Sequence, residues 1–429
     1  MNNSTDTAKG IRVGIIGGSI AGCAAAIELS RAGYDVTVYE RSVKRLVEQG
    51  AGIAITNQVI SMLKARDLID SDMPTIPVFK HTYICRGKNN RMERVLRERS
   101  VSVHMTNWAV LYKNLRQRVS DDIYHCGHEL TSLKEFSDGS IHLCLGSEQV
   151  AQFDLVIFTD GQNSFGRKLL FPKLSPQYAG YIAWRGMLTE QYIPDIKLFE
   201  NRSPRAVCNS GLCLLYLVPG LHHEEKKGQR FLNWVFYFKI NENELSAFMT
   251  DIKGNKRDIS LPAGTVSEKY VSRLHQVASQ QLPGYIADVI CNTREPFVQI
   301  IYDMLVPRHY RGRICLLGDA AMLARPHTGR GATKAIISAI DLAEALTTYQ
   351  SVDKALKQWH RKQDNACLSL VASGQQLGRA LVLDAPDWND INESELQSWW
   401  GRVTNAYAGL QHRQGILPRV RRFLKNLKR

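Results

Sequence analysis

Arg313-Ile314-Cys315-Leu316-Leu317-Gly318-Asp319-Ala320-Ala321-Met322-Leu323-Ala324-Arg325-Pro326-His327-Thr328-Gly329-Arg330-Gly331 decides how the chain reads. The apolar run 314–317 has the length of a buried strand, and Gly318-Asp319 stops it. Pro326, Gly329 and Gly331 lead into a helix whose apolar residues Ile336, Ala339, Ile340, Ala343 and Leu346 recur at helical spacing. A strand end, a lone carboxylate and an uncapped helix start are thus brought together. Asp319 can accept hydrogen bonds from sugar-like hydroxyls, and the helix end offers N–H groups and partial positive charge to an anion. An ordinary strand–turn–helix with a capping loop would show the same residues.

Residues 12–41 carry the second signal. Residues 13–16 read as a short buried strand, Gly17-Gly18-Ser19-Ile20-Ala21-Gly22 as a turn, and an Ala-rich helix runs to about Ala32, closed by Gly33. Residues 36–39 form the next strand, which ends at Glu40 beside Arg41. This is a βαβ unit with an acid at the end of its second strand. Its turn lets backbone amides meet a pyrophosphate, and Glu40 can accept from a ribose. Ser19 stands where the middle glycine of such turns is usual.

With 429 residues and 44% hydrophobic composition, the chain can build more than one structural unit. No stretch is apolar for the length of a membrane helix, and the first ten residues lack an apolar signal core. The nine cysteines are an odd number with no Cys-x-x-Cys pair, which argues for reduced thiols in a cytoplasmic protein and against a zinc site. The net charge is +14, and the end, residues 413–429, is basic with interspersed apolar residues. Such a helix suits an anionic membrane or a nucleic acid, but a solvated or homodimer-packing helix is the more ordinary reading. No nucleic-acid partner is expected.

Gly50-Ala51-Gly52-Ile53 would let backbone pass close to a flat ligand, or form a simple turn. A helix is expected from Trp108 to Leu115, and a hairpin around Asp138-Gly139. Residues 153–158 read as one buried strand that ends in Asp160-Gly161-Gln162-Asn163-Ser164-Phe165-Gly166-Arg167. Residues 178–188, 212–218 and 231–240 read as strands of a sheet that would cover the substrate. Arg185, Tyr216, Trp234 and Tyr237 are its cationic or polar-tipped candidates, although Arg185 could equally pair with a carboxylate. His222-His223-Glu224-Glu225 lacks metal-ligand spacing and reads as a solvated hairpin loop, so no metal is expected.

In order and spacing these segments resemble the FAD-dependent aromatic hydroxylases, the p-hydroxybenzoate hydroxylase-like flavoprotein monooxygenases, over about residues 11–370. The resemblance rests on Gly17 to Gly22 with Glu40, on Asp160 to Arg167, and on Gly318-Asp319 with Pro326, Gly329 and Gly331. Tyr178-Ala179-Gly180-Tyr181-Ile182-Ala183-Trp184-Arg185-Gly186 and Arg325-Pro326-His327 add to it. It implies an α/β fold: a Rossmann-like FAD-binding domain (1–175 and 293–370), an inserted mixed β-sheet substrate domain (176–292) and a C-terminal helical region (371–429). It also implies FAD reduced by NADH or NADPH, dioxygen as co-substrate, and hydroxylation of an electron-rich aromatic or N-heteroaromatic ring through a flavin C4a-hydroperoxide.

The family's cofactor contacts fall here on Gly17, Gly18, Ser19, Ile20, Ala21, Gly22, Glu40, Arg41, Gly52, Trp108, Asp160, Asp319, Pro326, Gly329, Gly331 and Ala332. Tyr216, Trp234 and Tyr237 would meet the substrate, with His327 and Arg185 catalytic, His327 as the base that takes the ring hydroxyl's proton. Three positions depart from the family: Trp108 for Arg, Met322 for His and Ser338 for Asp. Two other classes remain open: an FAD-dependent reductase or dehydrogenase, and a nucleotide-binding protein without redox activity.

Overall fold

The computed structural model describes residues 10–43, 52–88, 92–146, 149–220, 225–388 and 390–409. The Rossmann-like half is a six-stranded sheet. The strands Arg12–Ile16, Asp35–Glu40, Tyr124–Cys126, Leu155–Phe158 and Ile314–Leu316 run parallel within it, and Tyr310–Arg311 closes one edge antiparallel. Its central strand is Val/Ile-rich and buried, as a parallel sheet covered on both faces requires. The helices Ile20–Arg31 and Gly331–Thr348 pack together on one face, with Ile27, Ile336 and Ile340 in a common core.

The apolar run 153–158 is two strands rather than one. Gln149–Phe153 belongs to a small three-stranded sheet built on the hairpin around Gly139, whereas Leu155–Phe158 enters the parallel sheet. The chain turns at Asp154, whose carboxylate accepts from both the backbone N–H and the guanidinium of Arg12. That charge-assisted clamp holds the two sheets in register, and apolar content alone could not reveal it.

The second large unit is a ten-stranded sheet. Gln177–Thr189, Gly211–Val218 and Phe231–Lys239 lie at its centre, as expected. The sheet extends beyond residues 176–292, however. Gly52–Thr56, Ile76–Arg86 and Glu93–Asn107 join one side, and Phe297–Leu305 joins the other. The long hairpin 76–107 docks parallel to Arg202–Cys208, so sequence-distant strands share one surface.

Alternation assigns the two faces of this sheet. Ile182, Trp184, Trp234 and Phe236 point toward the helices Glu268–Gln281 and Gly284–Cys291. Tyr181, Ala183, Val235, Tyr237 and Tyr216 point the other way. This second face is covered by the end of the helix Val352–Gly378, by a π-helical turn Arg379–Leu383 and by the helix Glu393–Gly409. The basic end beyond residue 409, and the pair His222-His223, lie outside the described residues.

Trp234 therefore does not face the substrate side. Its indole N–H donates to Thr293 Oγ1 at 2.9 Å, within the helix-covered core. Trp234→Phe should lower unfolding stability by roughly 1–3 kcal/mol through the lost contacts and hydrogen bond. It should leave flavin affinity unchanged. Denaturant unfolding with a parallel flavin titration checks both, and a weakened flavin affinity would contradict the placement.

Candidate active site

The site lies at the carboxyl ends of the parallel strands, where open α/β sheets take ligands. The N–H of Gly17 bonds to Tyr39 O, and Thr159 Oγ1 donates to Gly17 O at 2.6 Å. A Cβ at Gly22 would stand 1.9 Å from Gly17 O, so only glycine lets the first helical turn close against the strand end. Ser19 is the N-cap residue without a side-chain cap bond, and neither the helix Ile20–Arg31 nor Gly331–Thr348 carries an acid in its first turn. Both helix ends keep their partial positive charge for an anion. Ile20 and Ala21 are buried in the first turn, Gly331 is exposed, and Ala332 is half-buried.

Glu40 ends its strand as expected, but its carboxylate is already engaged. Oε2 accepts from Gly18 N at 2.8 Å and Oε1 from Ser42 N at 2.9 Å. Each oxygen keeps a second lone pair, so Glu40 can brace the turn and still accept from a hydroxyl. Tyr124, which the sequence reading passed over, donates to Gly18 O at 2.9 Å, and the Arg116 guanidinium lies 3.9 Å from its ring centre. Arg41 is exposed. Trp108 opens its helix and stacks on Tyr112 at 5.0 Å between ring centres.

Asp160 works as a cap. Its Oδ2 accepts from Phe165 N at 2.7 Å and Gly166 N at 3.4 Å, while Oδ1 is buried without a partner. Burial raises its pKa against those hydrogen bonds. The short helix Phe165–Leu170 thereby presents Arg167, whose guanidinium donates to the carbonyls of Asp319, Ala320 and Gln162. Two segments far apart in sequence thus meet through one cation.

Asp319 is exposed to the cleft yet ringed by protein, and no described residue hydrogen-bonds its carboxylate. Desolvation raises its pKa to about 6, opposed by Arg167. A carboxylate held unpartnered beside two bare helix ends is matched to a ligand with hydroxyls and phosphates. The residues present therefore fit FAD. Met322, where the family has His, is buried with Cys367, Leu370 and Val371. Ser338 is buried, and its carbonyl accepts from Trp359 Nε1.

Pro326 opens a 3₁₀ turn, Pro326–Thr328, which ends at Gly329 in the left-handed region at φ 64°. The turn carries His327 inward. His327 Nε2 pairs with Tyr181 OH at 2.8 Å, its ring lies 4.2 Å from that of Tyr237, and Nδ1 is buried without a partner. Burial, then Arg325 and Arg205, hold its pKa well below the ordinary imidazole range, so it is neutral. Arg325 itself is paired with Asp303 at 2.7 Å. Tyr216 and Tyr237 share the sheet face of Arg185. Tyr216 OH donates to Gly52 O at 3.1 Å, and a Cβ at Gly52 would lie 2.2 Å from the Tyr216 ring. The close approach that needs Gly52 is therefore to Tyr216. Arg205 and Tyr407 also reach this face and were not foreseen. Pro204 disguised the Arg202–Cys208 strand, and Tyr407 comes from the last helix.

Comparison with known proteins agrees with this layout. Residues 15–43 match an NAD(P)-binding Rossmann-like domain, and residues 178–303 an FAD binding domain-like family. The 2,6-dihydroxypyridine 3-monooxygenase of Paenarthrobacter nicotinovorans is 28% identical over 82% of this chain and 87% of its own. The solved structure of 2,6-dihydroxypyridine-3-hydroxylase from Arthrobacter nicotinovorans superposes with a TM-score of 0.80 at 26% identity, covering 89% of this chain and 95% of that one. The chain is an FAD-dependent monooxygenase and resembles the aromatic hydroxylases. A further relative, the 6-hydroxynicotinate 3-monooxygenase of Pseudomonas fluorescens, is 24% identical over 78% of this chain and 82% of its own. In this monooxygenase, Asp319→Ala should weaken FAD binding by about ten- to hundredfold, the worth of a hydrogen bond to a charged group. Wild-type affinity should also fall as pH drops through about 6, because protonation removes the charged acceptor, and the variant should lose that dependence. Flavin fluorescence titration at several pH values measures both, and an unchanged dissociation constant would make Asp319 a turn residue only.

Proposed function

We propose that the chain hydroxylates a small electron-rich aromatic or N-heteroaromatic ring, of the hydroxypyridine kind, with NADH or NADPH as reductant. The observation that carries this reading is the buried His327, with one nitrogen tied to Tyr181 and the other unspent beside the sheet face of Tyr216, Tyr237 and Arg185. The relatives that act on hydroxypyridine and hydroxynicotinate rings support the substrate class.

FAD, when bound, supplies reductive activation of dioxygen and transfer of one oxygen atom to the ring. Gly17 to Gly22 with the helix end behind them would hold its pyrophosphate, Glu40 a ribose, and Asp319 the ribityl hydroxyls. The end of the helix Gly331–Thr348 would set partial positive charge beside the flavin. The chain's own residues then orient the ring, exclude water and move a proton. The π-helical turn and the last helix roof the sheet face with Leu377, Leu381 and Trp399, all buried, and keep bulk water out.

A ring hydroxyl that loses its proton makes its ring more nucleophilic. His327 Nδ1 would accept that proton, while the Nε2 hydrogen bond to Tyr181 holds the ring in place. Because burial disfavours the charged imidazole, His327 would hold the proton only for the oxygen-transfer step and then give it up.

Oxygen uptake by the flavin-loaded protein with NADH or NADPH should rise when hydroxypyridines are supplied, with a hydroxylated product. His327→Ala should keep FAD affinity and lose roughly 10²–10⁴ of the hydroxylation rate, recovering in part at high pH as the substrate ionises in solution. Normal turnover in the variant would remove His327 from the mechanism, and substrate conversion without oxygen consumption would overturn the hydroxylase reading.

A further inference from the structure

A second polar cluster lies beside the cofactor cleft, on the side away from the large sheet. It is built by the helices Gly331–Thr348 and Val352–Gly378 and by the loop between the strands Phe297–Leu305 and Tyr310–Arg311. His309 comes from the loop and is only 1% exposed. Its Nδ1 lies 3.3 Å from Nδ1 of His360, which the long helix holds half-buried. The two rings are 5.5 Å apart between centres, and Trp359 meets His309 edge-on at 5.8 Å. The other nitrogen of His309, Nε2, is buried without a partner.

His309 also lines a small cavity with Asp319, Gly331, Lys334, Ser338 and Cys367, and the cavity has room for about one water molecule. Lys334 donates to Gln363, which donates to Asp341, so the ammonium is fixed at the cavity's edge. Asp319 and the helix start at Gly331 belong to the cofactor cleft. A polar path therefore runs from the cleft through the cavity to His309, and from His309 to His360 and solvent. Burial, then Lys334 and His360, hold the His309 pKa down to about 3, so its ring is neutral at any working pH. A neutral imidazole has one N–H and one bare nitrogen. It can gain a proton at one side while losing one from the other, and so passes a charge without storing it. Burial lowers the His360 pKa, Asp364 opposes this, and Arg308 and Arg361 add to it.

The chemistry of a flavin monooxygenase needs such a path. A ring C–H, dioxygen, NAD(P)H and one proton give a ring hydroxyl, water and NAD(P)+, so each turnover takes one proton from solvent. Without a ring substrate, anionic reduced flavin, dioxygen and one proton give oxidised flavin and hydrogen peroxide, so a proton is needed there too. We propose that His360 and His309 form a relay that carries this proton from solvent, through the small cavity, to the cofactor cleft at Asp319. His360, protonated by water, gives its Nδ1 proton to Nδ1 of His309, whose Nε2 proton leaves into the cavity. The relay rests on the reaction of reduced flavin with dioxygen and not on the identity of the ring substrate.

The test is stopped-flow reoxidation of the flavin in the flavin-loaded full chain, reduced with dithionite, mixed with oxygenated buffer and followed by visible absorbance with no ring substrate present. His360→Ala should slow reoxidation by roughly 10²-fold, the lower range for a positioned proton-transfer group. Added imidazole should restore the rate, because a free imidazole reaches a half-buried surface position. His309→Gln should slow reoxidation as much and gain nothing from imidazole, because its position is enclosed. FAD affinity, measured by fluorescence titration, should be unchanged in both variants. A wild-type rate in either variant overturns the proposal. So does a slowed His360→Ala that imidazole leaves unaltered, which would make His360 a packing residue only. If His309→Gln fails to fold, His360→Ala and its rescue decide alone. Because no ring substrate enters the test, a failure of the proposed hydroxylation leaves its outcome unchanged.

Discussion

The turns that carry Asp160 and Asp319 into the cleft are tied together by the buried Arg167 guanidinium. It donates to the carbonyls of Asp319 and Ala320 from one strand end and of Gln162 from the neighbouring one. Those strands, Ile314–Leu316 and Leu155–Phe158, are adjacent and parallel. Their ends would otherwise leave several buried carbonyls to be satisfied separately. One planar cation with five donors fixes both turns at once. Asp319 is therefore pointed into the cleft without being consumed by a partner of its own. Desolvation lowers the Arg167 pKa, but the nearby Asp160 and Asp319 act against that loss.

The sheet face opposite the cofactor half is organised by a different balance. Its roof is the C-terminal helical region. Gly374 and Gly378 of the helix Val352–Gly378 lie against Arg325 and Tyr181, where a Cβ at Gly378 would stand 2.5 Å from the Tyr181 hydroxyl. The helix thus rests directly on the residues that orient His327. Further along, Tyr407 meets Tyr83 at 3.4 Å between hydroxyls, and the Arg99 guanidinium lies 4.1 Å from its ring centre. The C-terminal segment is therefore part of the site's walls. The π-helical turn at Arg379–Leu383 buries Ala380, Leu381 and Val382 against this sheet face.

Much of this was legible in the sequence, and the exceptions have physical reasons. The glycine turn, Glu40 and the Gly318-Asp319 stop are local signals, and each sits at the strand or helix end that its spacing implied. The expectation for Trp234 failed on periodicity. Trp234 and Tyr237 are three residues apart on one strand, so they cannot share a face. The run 153–158 failed because a strand change at Asp154 leaves no mark in hydrophobicity. Arg205 and the strands of residues 52–107 were hidden for a third reason. Their roles arise from pairing between distant segments, and such register is absent from any local window.

The visible absorption spectrum of the purified full chain tests the central claim most directly. An Asp319 carboxylate without a hydrogen-bond partner among the described residues, two uncapped helix ends and a glycine turn braced by Glu40 fit a bound flavin. The protein should therefore purify yellow, or turn yellow on addition of FAD, with one FAD per chain released on denaturation. A protein that stays colourless after incubation with excess FAD would contradict the account.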